Sequence, residues 1–145
     1  MTDAVEVLKT TWKGKMSGSG RLTSPALEVK IAIPTDLKGS GDGTHPKELL
    51  SASAVSCYVM TLAAMMDMRK LPAADIIVET ALAVTHDACI SIAHNVNVTF
   101  SESASVDDIQ RTEALVESAD AACLIGNFLR QGGVEISVKG RVSNN

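Results

Sequence analysis

The feature that most constrains this chain is the apolar run of 18 residues from Leu49 to Met66. A run of this length is sufficient for a membrane span, but three serines and a threonine interrupt it and charged residues lie close to both ends. Pro46 suits the first turn of a helix, where its missing N–H would have no partner. We therefore expect a helix from Pro46 to Met66 that is buried under other elements or in a subunit interface, and no membrane partner.

The residues before this helix alternate between apolar and polar types, as strands do. A first strand is expected from Ala4 to Trp12, and the stretch ALEVKIAIP, residues 26–34, has the clearest alternation in the chain. Between them, GKMSGSGR, residues 14–21, supplies turn residues. These patterns predict a hairpin, followed by a glycine-rich loop that leads to the helix.

Two further strands are expected after the helix, because IIVETALAVTH (residues 76–86) and ISIAHNVNVTF (residues 90–100) are rich in β-branched residues and alternate. They predict an antiparallel pair. Ser105 and Asp108 then resemble a capping box, which predicts a helix that ends near Ala121.

The chain is expected to end with a short helical turn from Cys123 to Arg130 and a last strand, VEISVKGRV, at residues 134–142. The order is then three strands, a long helix, two strands, a helix and a strand. This order predicts an α+β fold with a mainly antiparallel sheet.

Length and charge limit the domain count and the partners. A chain of 145 residues predicts one domain, residues 1–145. The net charge of −4 argues against a nucleic acid or an anionic membrane as partner. The first residues lack the basic and then apolar pattern of a secretion signal, so we expect the protein in the cytoplasm.

Three cysteines, Cys57, Cys89 and Cys123, are widely spaced and form no C-x-x-C pair. This pattern fits neither a disulfide scaffold nor a zinc site, so chemistry at these thiols would be transient and redox-linked. The alternative for Cys57 and Cys123 is an inert core residue, because a free cysteine packs well as a small apolar side chain. Cys89 falls in a predicted turn and is given no role.

The stretch GTHPKELLSASAVSCYVM, residues 43–60, resembles the signature of the OsmC/Ohr family, the osmotically inducible protein C and organic hydroperoxide resistance proteins. In that family Gly-Thr-Asn-Pro-Glu opens a long helix that carries a cysteine at the spacing of Cys57. A second family cysteine follows the later helix, where this chain has Cys123. The resemblance implies an α+β fold with a long buried central helix, a second helix and an intertwined homodimer.

The function that this resemblance implies is a thiol peroxidase that reduces organic hydroperoxides to alcohols. Cys57 would attack the O–O bond and become a sulfenic acid, and Cys123 would condense with it to a disulfide. An external dithiol, such as a lipoyl group on a partner protein, would restore the thiols. The resemblance implies no metal, haem or flavin cofactor.

The charged residues depart from the family pattern, in which an arginine of the first hairpin lies beside the cysteine and a carboxylate after the helix-opening proline orients it. Here Lys47 follows the proline, Glu48 comes one residue later, and Gly18 stands near the usual arginine position. We take Arg21, Lys47 and Glu48 as candidates for the charged part of the site. The alternative for all three is a solvated surface charge.

Helix geometry restricts these candidates. Lys47 and Cys57 are ten residues apart, or about 15 Å along a straight helix, which is too far for a direct contact within it. We expect His45 or Thr44 at the helix cap. His45 stands where the family has asparagine, and the alternative for it is a base.

Two other functions stay open. The chain could have this fold without efficient peroxidase activity and instead bind a small apolar ligand or sense thiol oxidation. It could also be a structural or partner-binding domain whose cysteines are inert.

Overall fold

The computed structural model describes residues 7–145, which form two compact units, one that reaches Leu49 and one from Leu50 to Asn145. The part of the predicted first strand that precedes Val7 lies outside the described residues.

The first unit contains an antiparallel sheet of three strands in the order β1-β2-β3. The strands are β1 (Lys9–Lys13), β2 (Ser19–Thr23) and β3 (Glu28–Ala32). The prediction that residues 14–21 are all turn is wrong for the second half of that segment, which belongs to β2. Gly20 explains the difference, since a Cβ at this position would lie 2.1 Å from the Thr11 carbonyl oxygen. Only glycine lets the two strands approach so closely here.

The long helix α1 (Pro46–Met68) begins at the end of the first unit, and most of it belongs to the second. It begins at the predicted proline and ends two residues later than expected. The His45 carbonyl accepts the first helical hydrogen bond, from the Leu49 N–H at 3.1 Å, so His45 is at the cap position.

The second unit contains a sheet in the order β4-β5-β6, together with two shorter helices. Strands β4 and β5 are antiparallel, as predicted, whereas β5 and β6 are parallel because two helices carry the chain back between them. The predicted α+β class with mainly antiparallel strand pairing is confirmed. The elements are β4 (Ala74–Val84), β5 (Ile90–Phe100), α2 (Val106–Ala122), α3 (Leu124–Gln131) and β6 (Glu135–Asn144).

A capping box starts α2, as the sequence predicts. The Ser105 hydroxyl accepts a hydrogen bond from the Asp108 N–H at 3.0 Å, and the Asp108 carboxylate accepts one from the Ser105 N–H at 3.2 Å. Both bonds satisfy N–H groups that have no partner within the helix.

The core of the second unit lies against one face of β5, whose inward residues alternate along the strand. Stripes of α1 and α2 pack against this face and against β6. The buried cluster consists of Tyr58, Leu62, Met66, Val96, Val98, Phe100, Ala104, Leu115, Val116, Ala119, Cys123 and Val142.

Within the chain, α1 is buried along one stripe only, which consists of Ala54, Tyr58, Leu62 and Met66. These residues are four apart and so lie on one side of the helix. The rest of its surface is also apolar but more open, and the Met60 side chain is 71% exposed. The helix is long and apolar enough to cross a membrane by length and composition. Its partial burial leaves an apolar surface that needs another cover.

The close approach of α2 to β6 gives a stability prediction at Gly140. A Cβ at this position would lie 2.7 Å from a methyl carbon of the buried Val116 side chain. We expect Gly140→Ala to lower the free energy of unfolding by about 1–3 kcal/mol, as overpacking does. Chemical denaturation measures this change.

Ser137→Ala is the matched control, because Ser137 lies on the opposite, exposed face of the same strand. It should change the free energy of unfolding by less than about 0.5 kcal/mol. Equal effects of the two substitutions would contradict close packing between α2 and β6.

Candidate active site

Cys57 lies in the middle of α1, beside the buried stripe, and its side chain is half-buried. It opens into a shallow groove with a volume of about 640 Å³. The groove is mainly apolar and is lined by Ser53, Ser56, Cys57, Met60, Thr61, Ala64, Met65, Ala122 and Ile125.

Cys123 forms a one-residue corner between α2 and α3. It ends one helix and precedes the next, with an extended backbone (φ −70°, ψ 113°), and its side chain is 2% exposed. At this corner the Cys123 thiol is close to Cys57, because Cys57 packs against the buried cluster that contains Cys123, and each thiol shifts the pKa of the other. The structure therefore brings together the two cysteines that the sequence singles out.

The first turn of α3 also faces Cys57. Its first intrahelical bond runs from the Asn127 N–H to the Cys123 carbonyl at 2.9 Å, and no side chain of its own caps the helix. The preceding N–H groups therefore lack helical partners. Those of Ile125 and Leu124 act on the Cys57 sulfur and lower its pKa. Cys57 and Ile125 also line the same groove, so Cys57 lies beside the N-terminal end of α3.

These contacts set the protonation of Cys57. Burial by itself raises the pKa of this thiol, but hydrogen bonds from the Ile125 N–H, the Cys123 thiol and the Leu124 N–H outweigh it, so the pKa is lower than usual. Thr61 is close as well, but its single hydroxyl proton is donated to the Cys57 carbonyl at 2.7 Å. The lowered pKa therefore depends mainly on the corner and the first turn of α3.

The pKa of Cys123 moves in the opposite direction. Burial raises it, the Gly126 N–H opposes the rise, and the neighbouring Cys57 and the Asp120 carboxylate add to it. Cys123 therefore stays a thiol when Cys57 ionises, and it can donate its proton in a hydrogen bond to the thiolate. A thiolate with a neutral thiol beside it is an arrangement suited to redox chemistry.

Tyr58 and His94 lie beneath the thiol pair. The Tyr58 hydroxyl donates to the Val116 carbonyl at 2.9 Å, and its ring stacks on His94 with the ring centres 5.4 Å apart. His94 Nδ1 is hydrogen-bonded to the Thr80 hydroxyl at 2.8 Å. Burial raises the pKa of Tyr58 and lowers that of His94, so both side chains are neutral at physiological pH.

The charged residues predicted for the site have other contacts in the first unit. Arg21 lies on β2, not in a turn, and forms an exposed ion pair with Glu28. Glu48 accepts a hydrogen bond from the Thr44 hydroxyl at 2.6 Å, and Lys47 is exposed in the first turn of α1. The lowered pKa of Cys57 rests on groups other than these three. Their role at the thiol stays a prediction.

Sequence reasoning missed the N–H groups of Leu124 and Ile125, because backbone donors carry no residue signature. It also missed Asp120, whose charge acts on Cys123 from the last turn of α2. The one available signal was the absence of a capping residue before α3, since a cysteine stands where serine, threonine or aspartate is usual.

Cys89 lies in the turn between β4 and β5, where its thiol donates to the Gly133 carbonyl at 3.4 Å. Within residues 7–145, no group of three or more His, Cys, Asp or Glu side chains could hold a metal ion.

Sequence comparison identifies relatives along the whole chain. Residues 39–139 match the sequence profile of the family described as OsmC-like protein. The uncharacterized protein YmaD of Bacillus subtilis (strain 168) is 33% identical over 146 residues, which cover 98% of this chain and 97% of the relative.

Solved structures share the fold. The organic hydroperoxide resistance protein OsmC from Legionella pneumophila has a TM-score of 0.62 at 21% identity and covers 99% of this chain and 100% of its own. An OsmC-like protein of unknown function from Vibrio cholerae has a TM-score of 0.77 at 13% identity, over 96% and 100% of the two chains. OhrB of Bacillus subtilis has a TM-score of 0.60 at 20% identity, over 93% and 98%. With its helix-borne Cys57, its second cysteine at the α2–α3 corner and its sequence match over residues 39–139, this chain belongs to the OsmC-like protein family.

Proposed function

We propose that the protein is a thiol peroxidase that reduces organic hydroperoxides to alcohols, with Cys57 as the attacking residue. The Cys57 thiolate attacks the terminal oxygen of the hydroperoxide, and the O–O bond breaks. The alcohol leaves with a proton, and Cys57 becomes a sulfenic acid, oxidised by two electrons. The observation that carries this proposal is a pair of neighbouring thiols, packed in one cluster, with opposite pKa shifts.

The second step uses Cys123. Its sulfur attacks the sulfenic sulfur of Cys57, a disulfide forms, and the hydroxyl leaves as water. The packing of Cys57 against the buried cluster that contains Cys123 supports this step, because it keeps the two thiols near each other. A rapid second step protects Cys57, because a sulfenic acid that persists is oxidised further to sulfinic acid.

The groove beside Cys57 favours organic hydroperoxides over hydrogen peroxide. Its walls include Met60, Met65 and Ile125, which offer contacts to an alkyl chain. Alkyl and lipid hydroperoxides are therefore the proposed substrates.

The cycle closes with an external dithiol, which reduces the disulfide by thiol exchange and leaves as its own disulfide. A lipoyl group on a partner protein has the required pair of thiols. The chain belongs to the OsmC-like family, and one stripe of α1 packs into its core. Because thiol chemistry of this kind requires a reducing compartment, we place the protein in the cytoplasm.

A homodimer is part of the same proposal. The apolar surface of α1 beyond its buried stripe needs a cover, and Met60 is largely exposed in the single chain. The resemblance to the OsmC/Ohr family implies an intertwined dimer, in which a second copy would provide that cover.

Peroxide consumption with a dithiol as reductant tests the activity. We expect the wild-type protein to consume cumene hydroperoxide faster than hydrogen peroxide, and Cys57→Ser to reduce both rates to the uncatalysed level. Cys123→Ser should react once and then accumulate Cys57 sulfinic acid, which mass spectrometry detects. Cys89→Ser is the control and should behave as the wild type.

A slow wild-type rate that is indifferent to Cys57→Ser would overturn the peroxidase. A slow but stoichiometric Cys57–Cys123 disulfide would instead favour a sensor of thiol oxidation, and no reaction at all would favour ligand binding by a protein with inert cysteines.

The opposite pKa shifts predict different pH profiles of alkylation. Reactivity rises with the thiolate fraction, so Cys57 should reach half of its maximal rate with iodoacetamide at a lower pH than a free cysteine, and Cys123 at a higher pH. Mass spectrometry of a pH series separates the two sites. In the denatured chain both midpoints should move to the free value. A Cys57 midpoint in the native protein at or above that of the denatured chain would contradict the assignment.

The dimer predicts a charge-sensitive surface on α1. Met60→Glu would place a carboxylate in the proposed interface without a partner, and burying an unpaired charge is strongly unfavourable. We expect this variant to sediment as a monomer and the wild type as a dimer. Val106→Glu, at an equally exposed position on α2, is the control and should stay dimeric. A monomeric wild type would remove the dimer from the proposal.

A further inference from the structure

Side chains, rather than main-chain hydrogen bonds alone, hold the corner between α2 and α3. The main chain contributes the bond from the Cys123 N–H to the Asp120 carbonyl at 3.3 Å. A helix that ends in a single-residue corner leaves other carbonyls of its last turn without helical partners. The corner would be free to open unless these groups are bonded from elsewhere.

Arg130 reaches the corner from the last turn of α3 and makes several side-chain hydrogen bonds there. One end of its guanidinium donates to the Asp120 carboxylate at 2.6 Å and to the Ile136 carbonyl at 3.3 Å. The other end donates to the Asp120 carbonyl at 3.3 Å and to the Asn127 side-chain oxygen at 3.1 Å. One side chain thus ties α3 to the end of α2 and to the start of β6.

Asn127 completes the set. It lies three residues before Arg130, on the same side of α3. Its amide nitrogen donates to the Ala121 carbonyl at 2.9 Å, while its oxygen accepts from Arg130. Asn127 and Arg130 therefore fix the angle between α3 and α2 through the Ala121 and Asp120 carbonyl groups of the last turn of α2.

The angle between α2 and α3 determines which groups of α3 face the Cys57 sulfur. Helix α2 is joined to α1 by the hydrogen bond from Tyr58 to Val116, so α2 is held in place beside α1. The N–H groups of Leu124 and Ile125 reach the Cys57 sulfur only while α3 keeps its orientation on α2. Hydrogen bonds weaken steeply when their angle is lost.

We propose that Arg130 and Asn127 are positioning residues, which hold the α2–α3 corner so that the free N–H groups of α3 stay directed at Cys57. The peroxidase role of Cys57 rests on the proposed function above. The positioning itself concerns the thiol of the reduced protein and is measured without any peroxide.

Charge and geometry have to be separated in the test, because Arg130 is also a cation near ionisable groups. The titratable and charged groups around the two thiols are Tyr58 on α1, His94 on β5, Asp120 on α2 and Arg130 on α3. Lysine keeps the positive charge of Arg130 but lacks the planar fork that bonds several acceptors at once. Asn127→Ala removes a contact without changing any charge.

The experiment measures the pH profile of Cys57 alkylation in the reduced full-length protein, site by site with mass spectrometry. Arg130→Met should raise the midpoint of Cys57 by about half a pH unit to one pH unit, the size expected for the loss of donors at a helix N-terminus. Asn127→Ala should raise it in the same direction, and Arg130→Lys should recover only part of the Arg130→Met shift.

Arg111→Met is the matched control, since it removes the same charge from α2 at a residue whose contacts are Asp107, Asp108 and the Arg69 carbonyl. It should leave the Cys57 midpoint unchanged. Circular dichroism checks that each variant is folded. If Arg130→Met does not fold, the Cys57 midpoint of Asn127→Ala tests the proposal.

A folded Arg130→Met or Asn127→Ala with the midpoint of the Arg111→Met control would overturn the proposal. Complete recovery with Arg130→Lys would also overturn it, because charge and not the fork would then be responsible. These outcomes are independent of catalysis. A wild-type protein that consumes no peroxide would refute the proposed function. The positioning role would still be tested by the pH midpoints of Cys57 alkylation in the variants.

Discussion

The rotation of α1 about its own axis determines where Cys57 points, and apolar packing alone does not set that rotation. The helix is apolar on nearly all sides, so the hydrophobic effect distinguishes little between neighbouring stripes. Tyr58 removes the ambiguity, because its hydroxyl bonds the Val116 carbonyl and its ring stacks on His94. A buried hydroxyl without a partner costs about 1–3 kcal/mol. A turn by one residue, about 100°, would break this bond and carry Cys57 away from the corner.

The ionisable groups nearest to Cys57 are kept neutral, and the charged residues Asp120 and Arg130 act on these neighbours. Burial keeps Tyr58 as a phenol and His94 as a neutral imidazole, and it also raises the pKa of Cys123. The Asp120 carboxylate reinforces the neutral forms of Tyr58 and Cys123, and its ion pair with Arg130 offsets its own charge. Cys57 is therefore the group in this cluster that gains from ionising.

The sequence predicts those parts of the fold where local signals agree with the tertiary structure. Pro46 marks the start of α1, Ser105 and Asp108 cap α2, and the limits of β5 follow from its alternation. Strand β2 was obscured because Gly20 is read locally as a turn residue, whereas it is required by the contact with Thr11 on the next strand. That requirement is a long-range contact, and it leaves no local pattern.

The candidate site shows the same difference between what local sequence signals predict and what long-range contacts determine. The two cysteines could be selected from the sequence, because the resemblance fixes their spacing, but the groups that act on them could not. Arg21, Lys47 and Glu48 were candidates because charged residues are visible in a sequence. The donors that the structure directs at Cys57 belong to the backbone of α3, and they depend on Arg130, which is seven residues beyond Cys123. Arg130 reaches the end of α2 only because the chain turns at Cys123, and the sequence spacing alone does not show that turn.

Backbone donors suit an apolar groove better than a charged side chain would. A guanidinium beside the thiol would stabilise the thiolate strongly, but it would hold water, which an alkyl hydroperoxide would have to displace. The N–H groups of Leu124 and Ile125 carry partial charges of a helix terminus and are already fixed within the protein. They lower the pKa of Cys57 while the walls formed by Met60 and Met65 stay apolar. Stabilisation by fixed dipoles thus lets one small site combine a reactive thiolate with a surface that an alkyl chain can contact.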